Sequence, residues 1–348
     1  MEITVKDWGK SPEEEDVKLF IITNSQGNSV TLTNYGATWL SAIVPDKNGN
    51  KGDVVLGFPD LKGCYSDTCY IGTIVGRYAN RIRNAQFTID DKTYKVSANI
   101  APHTLHGGKI GFNQKVWDYE VTDKGITFKL ISPDGDQGYP GNLQVEVSYE
   151  WTDNNELDIH FNAKTDKPTQ VSLTNHAYFN LKGDDSLIYN HLLAIHSDYY
   201  LPMKEGSIVS GEFRMVKNTP FDFNEAKPIG RDINEKDDQL ELAAGYDHTF
   251  VLKKENTPEL VLAAEAYEPT TGRAMEAYTT YPSVHLYVSN FLESTENGKN
   301  GKPYGKHEAF CLEAQYMPNT PNQANFPDST LRSGQKYKQM TRFKFFTK

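Results

Sequence analysis

Three stretches of this chain place acid–base side chains inside text that otherwise reads as buried strand. In residues 308–317, EAFCLEAQYM, alternation sets Phe310 and Leu312 on one face and Cys311, Glu313 and Gln315 on the other. Carboxylates are seldom buried unless paired or used, so Glu313, flanked by Leu312 and Ala314, reads either as an edge residue or as a poised base. In residues 172–181, SLTNHAYFNL, the strand parity sets Ser172, Thr174 and His176 opposite Val171 and Leu173. His176 is then either a hydrogen-bonded core residue or an acid–base group. In residues 104–108, TLHGG, paired glycines permit unusual backbone angles beside His106, and a tight turn with an exposed histidine is the plain alternative. GYDH at 245–248 adds Asp247, which an ordinary turn would also explain. A carboxylate, one or two imidazoles, an aspartate and an arginine suit proton transfer on a polyhydroxylated substrate. They do not separate an isomerase from a glycosidase.

The elements that must hold these groups are strands. In 143–151, Leu143, Val145, Val147, Tyr149 and Trp151 alternate with Gln144, Glu146, Ser148 and Glu150. After the turn at 152–155, Leu157, Ile159, Phe161 and Ala163 repeat the pattern. Further strands are expected at 29–34, 126–132, 170–173, 259–266 and 284–289. In the last of these, Val284, Leu286 and Val288 alternate with His285, Tyr287 and Ser289. A helical pattern is expected only near 234–243. Short strands punctuated by Gly, Pro, Asn and Asp predict an all-β sandwich or barrel. No linker or repeat divides residues 1–348, so a single domain is expected, with the polar loop 294–307 at its surface.

Composition narrows the function classes. The formal charge is −10, from 36 basic and 46 acidic residues, and the one basic cluster is Arg77, Arg81 and Arg83. No nucleic-acid partner is expected of such a chain. No apolar run approaches the ~20 residues of a membrane span, so no membrane partner is expected either. The N-terminus shows no apolar leader, which predicts a cytoplasmic protein. Cys64, Cys69 and Cys311 form no disulfide framework and no zinc spacing, and reduced thiols are expected. Dinucleotide, P-loop, HExxH and GxSxG patterns are absent. The GGK at 107–109 lacks a P-loop frame, and DGDQG at 134–138 reads as a turn rather than a calcium loop.

Six strings then occur in one order: GRYANRI at 76–82, TLHGG at 104–108, GYPGNL at 138–143, TNHAYFNL at 174–181, GYDH at 245–248 and EAQYMPNTPNQANFP at 313–327. Their order and spacing resemble the aldose 1-epimerase, or galactose mutarotase, family over essentially the whole chain. The resemblance implies a large antiparallel β-sandwich with few short helices and an open sugar cleft. It implies a free aldose as the small-molecule partner, a monomer or homodimer, and neither cofactor nor metal. Carried over by motif, Glu313 is the general base and His176 the general acid. His106, Asn80, Arg81 and Asp247 bind the sugar or support the acid, and Arg77 is structural. Some members carry Gln before the Pro of a TTQP-like segment. Here Tyr281 of TTYP takes that place and is expected to touch the sugar. A glycoside hydrolase or a non-catalytic carbohydrate-binding protein on the same fold is the alternative.

Overall fold

The alternation around residues 143–165 becomes a hairpin of Leu143–Trp151 and Glu156–Thr165, with Leu143 opposite Thr165 and Trp151 opposite Leu157. The computed structural model describes residues 1–253 and 259–348. This hairpin lies within a nine-stranded sheet that also contains Gly125–Ser132, Arg273–Thr279, Val261–Tyr267 and the C-terminal Tyr337–Thr347. A five-stranded sheet is built from the first 53 residues, in sequential order from Glu2–Lys10 to Lys51–Asp53. A six-stranded sheet runs in the order Tyr178–Phe179, Phe310–Gln315, Ser283–Tyr287, Asp247–Leu252, Ser197–Leu201, Arg214–Met215. All paired strands named here are antiparallel.

One core joins the three sheets. Trp39, Phe179 and Phe343 come one from each, and their ring centroids lie 5.7, 5.7 and 5.0 Å apart in edge or tilted contact. Such pairs add about 0.5–1.5 kcal/mol each beyond their buried area. Two short α-helices occur among the described residues. Asp238–Ala243, capped by the Asp237 carboxylate, lies in the expected region but is shorter; Leu61–Ser66, capped by Asp60, was not expected. No helix among the described residues is long and apolar enough to cross a membrane.

Two expectations change. Residues 170–173 are not one strand: Thr169–Gln170 pairs with Thr330–Leu331, Ser172 bridges to Tyr78, and Thr174–Asn175 pairs with Ile74–Val75. The chain crosses between sheets there, and each short piece takes a new backbone partner. The inside–outside parity nevertheless survives, since Val171, Leu173, Ala177 and Phe179 all enter the core. The polar loop 294–307 is also less superficial than expected, because Tyr304 is buried with its hydroxyl bonded to Gly57.

Buried histidines make the fold acid-sensitive. Burial lowers His191 and His307 to about 4, lowers His248 to about 3, and holds His106 well below the ordinary imidazole range. Three of them accept a backbone N–H at a ring nitrogen: Leu181 to His191, Asp247 to His248 and Asn80 to His106. Protonating that nitrogen removes the bond. Because these groups bind protons more weakly folded than unfolded, stability is full above about pH 6.5 and is lost as pH falls toward 4. Asp67, pushed up to about 6 by burial, acts in the opposite sense but is one group against four. The urea midpoint should fall steadily between pH 7 and 5, and a flat midpoint over that range would contradict this account.

Candidate active site

Glu313 and His176 reach one another from segments far apart in sequence. Phe310–Gln315 buries Phe310, Leu312 and Ala314 in the core, which turns Cys311 and Glu313 to the other face. His176 follows its two-residue strand and is pinned at both backbone groups: its N–H donates to Thr73, and its carbonyl accepts from Gly72 (2.9 Å each). Its ring lies nearly parallel to those of Tyr70 and Tyr178, with centroids 6.1 and 5.1 Å away. His176 Nε2 then stands 3.5 Å from Glu313 Oε1, and both side chains are almost wholly buried. Glu313 Oε2 has no hydrogen-bond partner among the described residues, so one carboxylate oxygen is available to take a proton.

The neighbouring strands extend this face. His285 is the cross-strand partner of Glu313, Tyr287 of Cys311, and Asp247 of Tyr287. His285 Nε2 lies 2.7 Å from Asp247 Oδ1. Burial opposes ionisation of Asp247, but the His285 hydrogen bond and the nearby charges of His285 and Arg81 outweigh it. They hold the carboxyl well below its usual range.

His106 and Asn80 complete the wall from a third direction. A two-residue ladder pairs Arg81 with Leu105, and it brings the ANR and TLHGG motifs together. Asn80 and His106 both sit at positive φ (61° and 51°), and they exchange two hydrogen bonds: His106 N–H to Asn80 O, and Asn80 N–H to His106 Nδ1. Gly107 follows at φ +91°, where a Cβ would lie 2.0 Å from the Gly76 carbonyl oxygen. The glycine therefore lets the loop press onto the GRYANR segment. One ligand atom each from His106, His176 and Glu313 lies within 4.8 Å of the others, a grouping that suggests a metal site. The tautomer argues otherwise. With Asn80 N–H filling the Nδ1 lone pair, the hydrogen of the neutral His106 ring belongs on Nε2, which is then a donor and not a ligand.

Together with Tyr70, Cys69 and Phe291, these residues line a cleft of about 200 Å³. A larger surface groove, about 580 Å³, runs past Asn154, Glu156 and Phe345 and is lined by no histidine. Of the residues expected at the site, Glu313, His176, His106, Asn80, Arg81 and Asp247 all line the cleft. Tyr281 does not. It is fully buried, with its hydroxyl 2.5 Å from the Leu173 carbonyl and 2.6 Å from the Tyr337 hydroxyl. The chain passes at residues 280–282 from the nine-stranded to the six-stranded sheet, and Tyr281 is wedged in that crossing. Sequence reasoning missed His285, Tyr287 and the 68–70 loop. The alternation over 284–289 was a usable signal for the first two. Arg77 is structural, as expected: its guanidinium is buried and donates to Ser132 and to the carbonyls of Pro133 and Pro140.

The aldose 1-epimerase family model matches residues 18–344. The chain belongs to the aldose 1-epimerase family. Among relatives, the galactose mutarotase of Pongo abelii is 42% identical over 91% of this chain and 90% of its own length. The aldose 1-epimerase of Escherichia coli K12 is 38% identical over 96% and 97%. Among solved structures, a galactose 1-epimerase from Lactobacillus acidophilus superposes with a TM-score of 0.88 at 28% identity, over 100% of this chain and 99% of that one. The aldose epimerase homologue from C. elegans gives 0.86 at 34% identity, over 94% and 98%.

Proposed function

We propose that this protein interconverts the α and β anomers of a free aldohexose such as galactose or glucose, with Glu313 as general base and His176 as general acid. The observation that carries the reading is the 3.5 Å approach of His176 Nε2 to Glu313 Oε1 at the floor of the cleft. Glu313 takes the proton of the C1 hydroxyl while His176 gives one to the ring oxygen, and the bond between C1 and that oxygen breaks. The aldehyde turns about C1–C2. The freed hydroxyl then attacks the other face, returning its proton to His176, while Glu313 returns its own to the carbonyl oxygen. Each group contributes on the order of 10²–10⁴-fold. No electron or group is transferred, so the reaction asks for no cofactor.

Around this pair, Arg81, Asn80, His106 and Asp247 hold the sugar hydroxyls, charge-assisted where ionised. Asp247 is not suited to be a glycosidic acid, which needs a carboxyl whose proton is held more tightly than usual, because Asp247 is shifted the other way.

Polarimetry of freshly dissolved α-glucose and α-galactose tests the proposal. Protein should speed the drift to equilibrium, and no acceleration with either sugar, or with xylose, arabinose or maltose, would end it. In the same assay Asp247→Asn should raise KM about tenfold or more, through loss of a charge-assisted hydrogen bond. An unchanged KM would remove Asp247 from sugar binding.

A further inference from the structure

Among the described residues, no backbone N–H, lysine or arginine is in direct contact with the Asp247 carboxylate. It is held by His285, and His285 is held in turn by Thr249: the Nδ1 of the imidazole lies 2.8 Å from Thr249 Oγ1, and its Nε2 lies 2.7 Å from Asp247 Oδ1. Thr249 and Asp247 stand on one strand, Asp247–Leu252, at alternate positions, so both present the same face. His285 is on the adjacent strand directly opposite Thr249. The three side chains form one continuous hydrogen-bonded chain across two strands, and all are buried.

We propose that His285 is the positioning residue for sugar recognition, clamping Asp247 Oδ1 so that Oδ2 alone is presented to a substrate hydroxyl. An ionised carboxylate accepts hydrogen bonds only, so the imidazole must carry its hydrogen on Nε2 whatever its charge. The Thr249 hydroxyl, able to donate or accept at Nδ1, satisfies the other nitrogen and keeps the ring from turning over. A carboxylate with both oxygens free could rotate about its last bond and accept from several directions. With one oxygen clamped, its remaining lone pairs have a fixed direction, which is what discrimination among ring hydroxyls requires. His285 is also the cross-strand partner of Glu313, so the clamp stands on the strand next to the one that carries the base.

The kinetic part of this inference rests on the proposed anomer exchange, and the test separates the two. His285→Leu, His285→Gln and Thr249→Val are compared with the unaltered protein by initial-rate polarimetry over a range of sugar concentrations. Leucine, of similar volume to histidine but with no donor, should raise KM about tenfold, with kcat within about threefold of the unaltered value. Glutamine, whose amide N–H can still donate to Asp247 Oδ1, should restore KM to within about threefold. Thr249→Val should give a smaller rise and covers the case in which the leucine variant fails to fold. An unchanged KM in the leucine or valine variant, equal losses in kcat and KM, or no rescue by glutamine would each overturn the clamp. Absence of turnover in the unaltered protein would instead overturn the proposed reaction.

Discussion

Glu313→Gln is expected to lower kcat and kcat/KM together by about 10²–10⁴-fold, with little change in KM. The amide keeps the volume of the side chain and its place on the sheet, between Leu312 and Ala314, but it cannot accept the C1 proton. Stability should move in the opposite direction to activity. The carboxylate is buried and one of its oxygens has no partner, so neutralising it removes a desolvation cost that the folded protein otherwise bears. Polarimetry and thermal melting on the same preparation would read both effects. A rate within tenfold of the unaltered protein would exclude Glu313 as the base, and a clear drop in melting temperature would contradict the account of its burial.

Arg77→Met should be the most damaging change away from the cleft, costing several times the ~1 kcal/mol of one hydrogen bond. The guanidinium is 2% exposed and serves Ser132 Oγ and the carbonyls of Ser132, Pro133 and Pro140 at 2.8 to 2.9 Å. Methionine fills similar space yet leaves those acceptors without donors, each at a cost of about 1–3 kcal/mol before relaxation. Against a total stability of about 5–15 kcal/mol, this is a large share. The damage should also reach the site, because the Arg77 carbonyl accepts from Ser172 in the segment that leads to His176. Equilibrium denaturation gives the measure. A midpoint loss equivalent to less than about 1 kcal/mol would show that the loop at 132–140 closes without the arginine.

Much of this was legible in the chain itself, and for identifiable reasons. A period of two is a local signal, so the hairpin at 143–165 and the faces of Phe310–Gln315 could be read from neighbouring residues alone. His176 was legible as an inward polar residue even though its strand breaks, because the core still demands every second side chain. Tyr281 was misplaced because a proline-linked motif was carried over without the crossing between sheets that precedes Ser283. Parity does not pass through such a crossing. His285 was missed for a different reason: its function lies in its neighbours on either side, and sequence spacing does not show that residues 247, 285 and 313 are adjacent rungs.

The distribution of cleft residues along the chain has a consequence for how activity is gained. The cleft draws on residues 68–70, 80, 81, 105, 106, 176, 178, 247, 285, 287, 291 and 313, so most contacts within it close a long loop. Such contacts form late and slowly, after the entropy of each closure has been met. No fragment of the chain contains the working set, and a partly folded chain has no partial version of it. Turnover regained during refolding thus reports the completed arrangement of the sheets, at a stage when spectroscopic signals from individual hairpins are already at their native values.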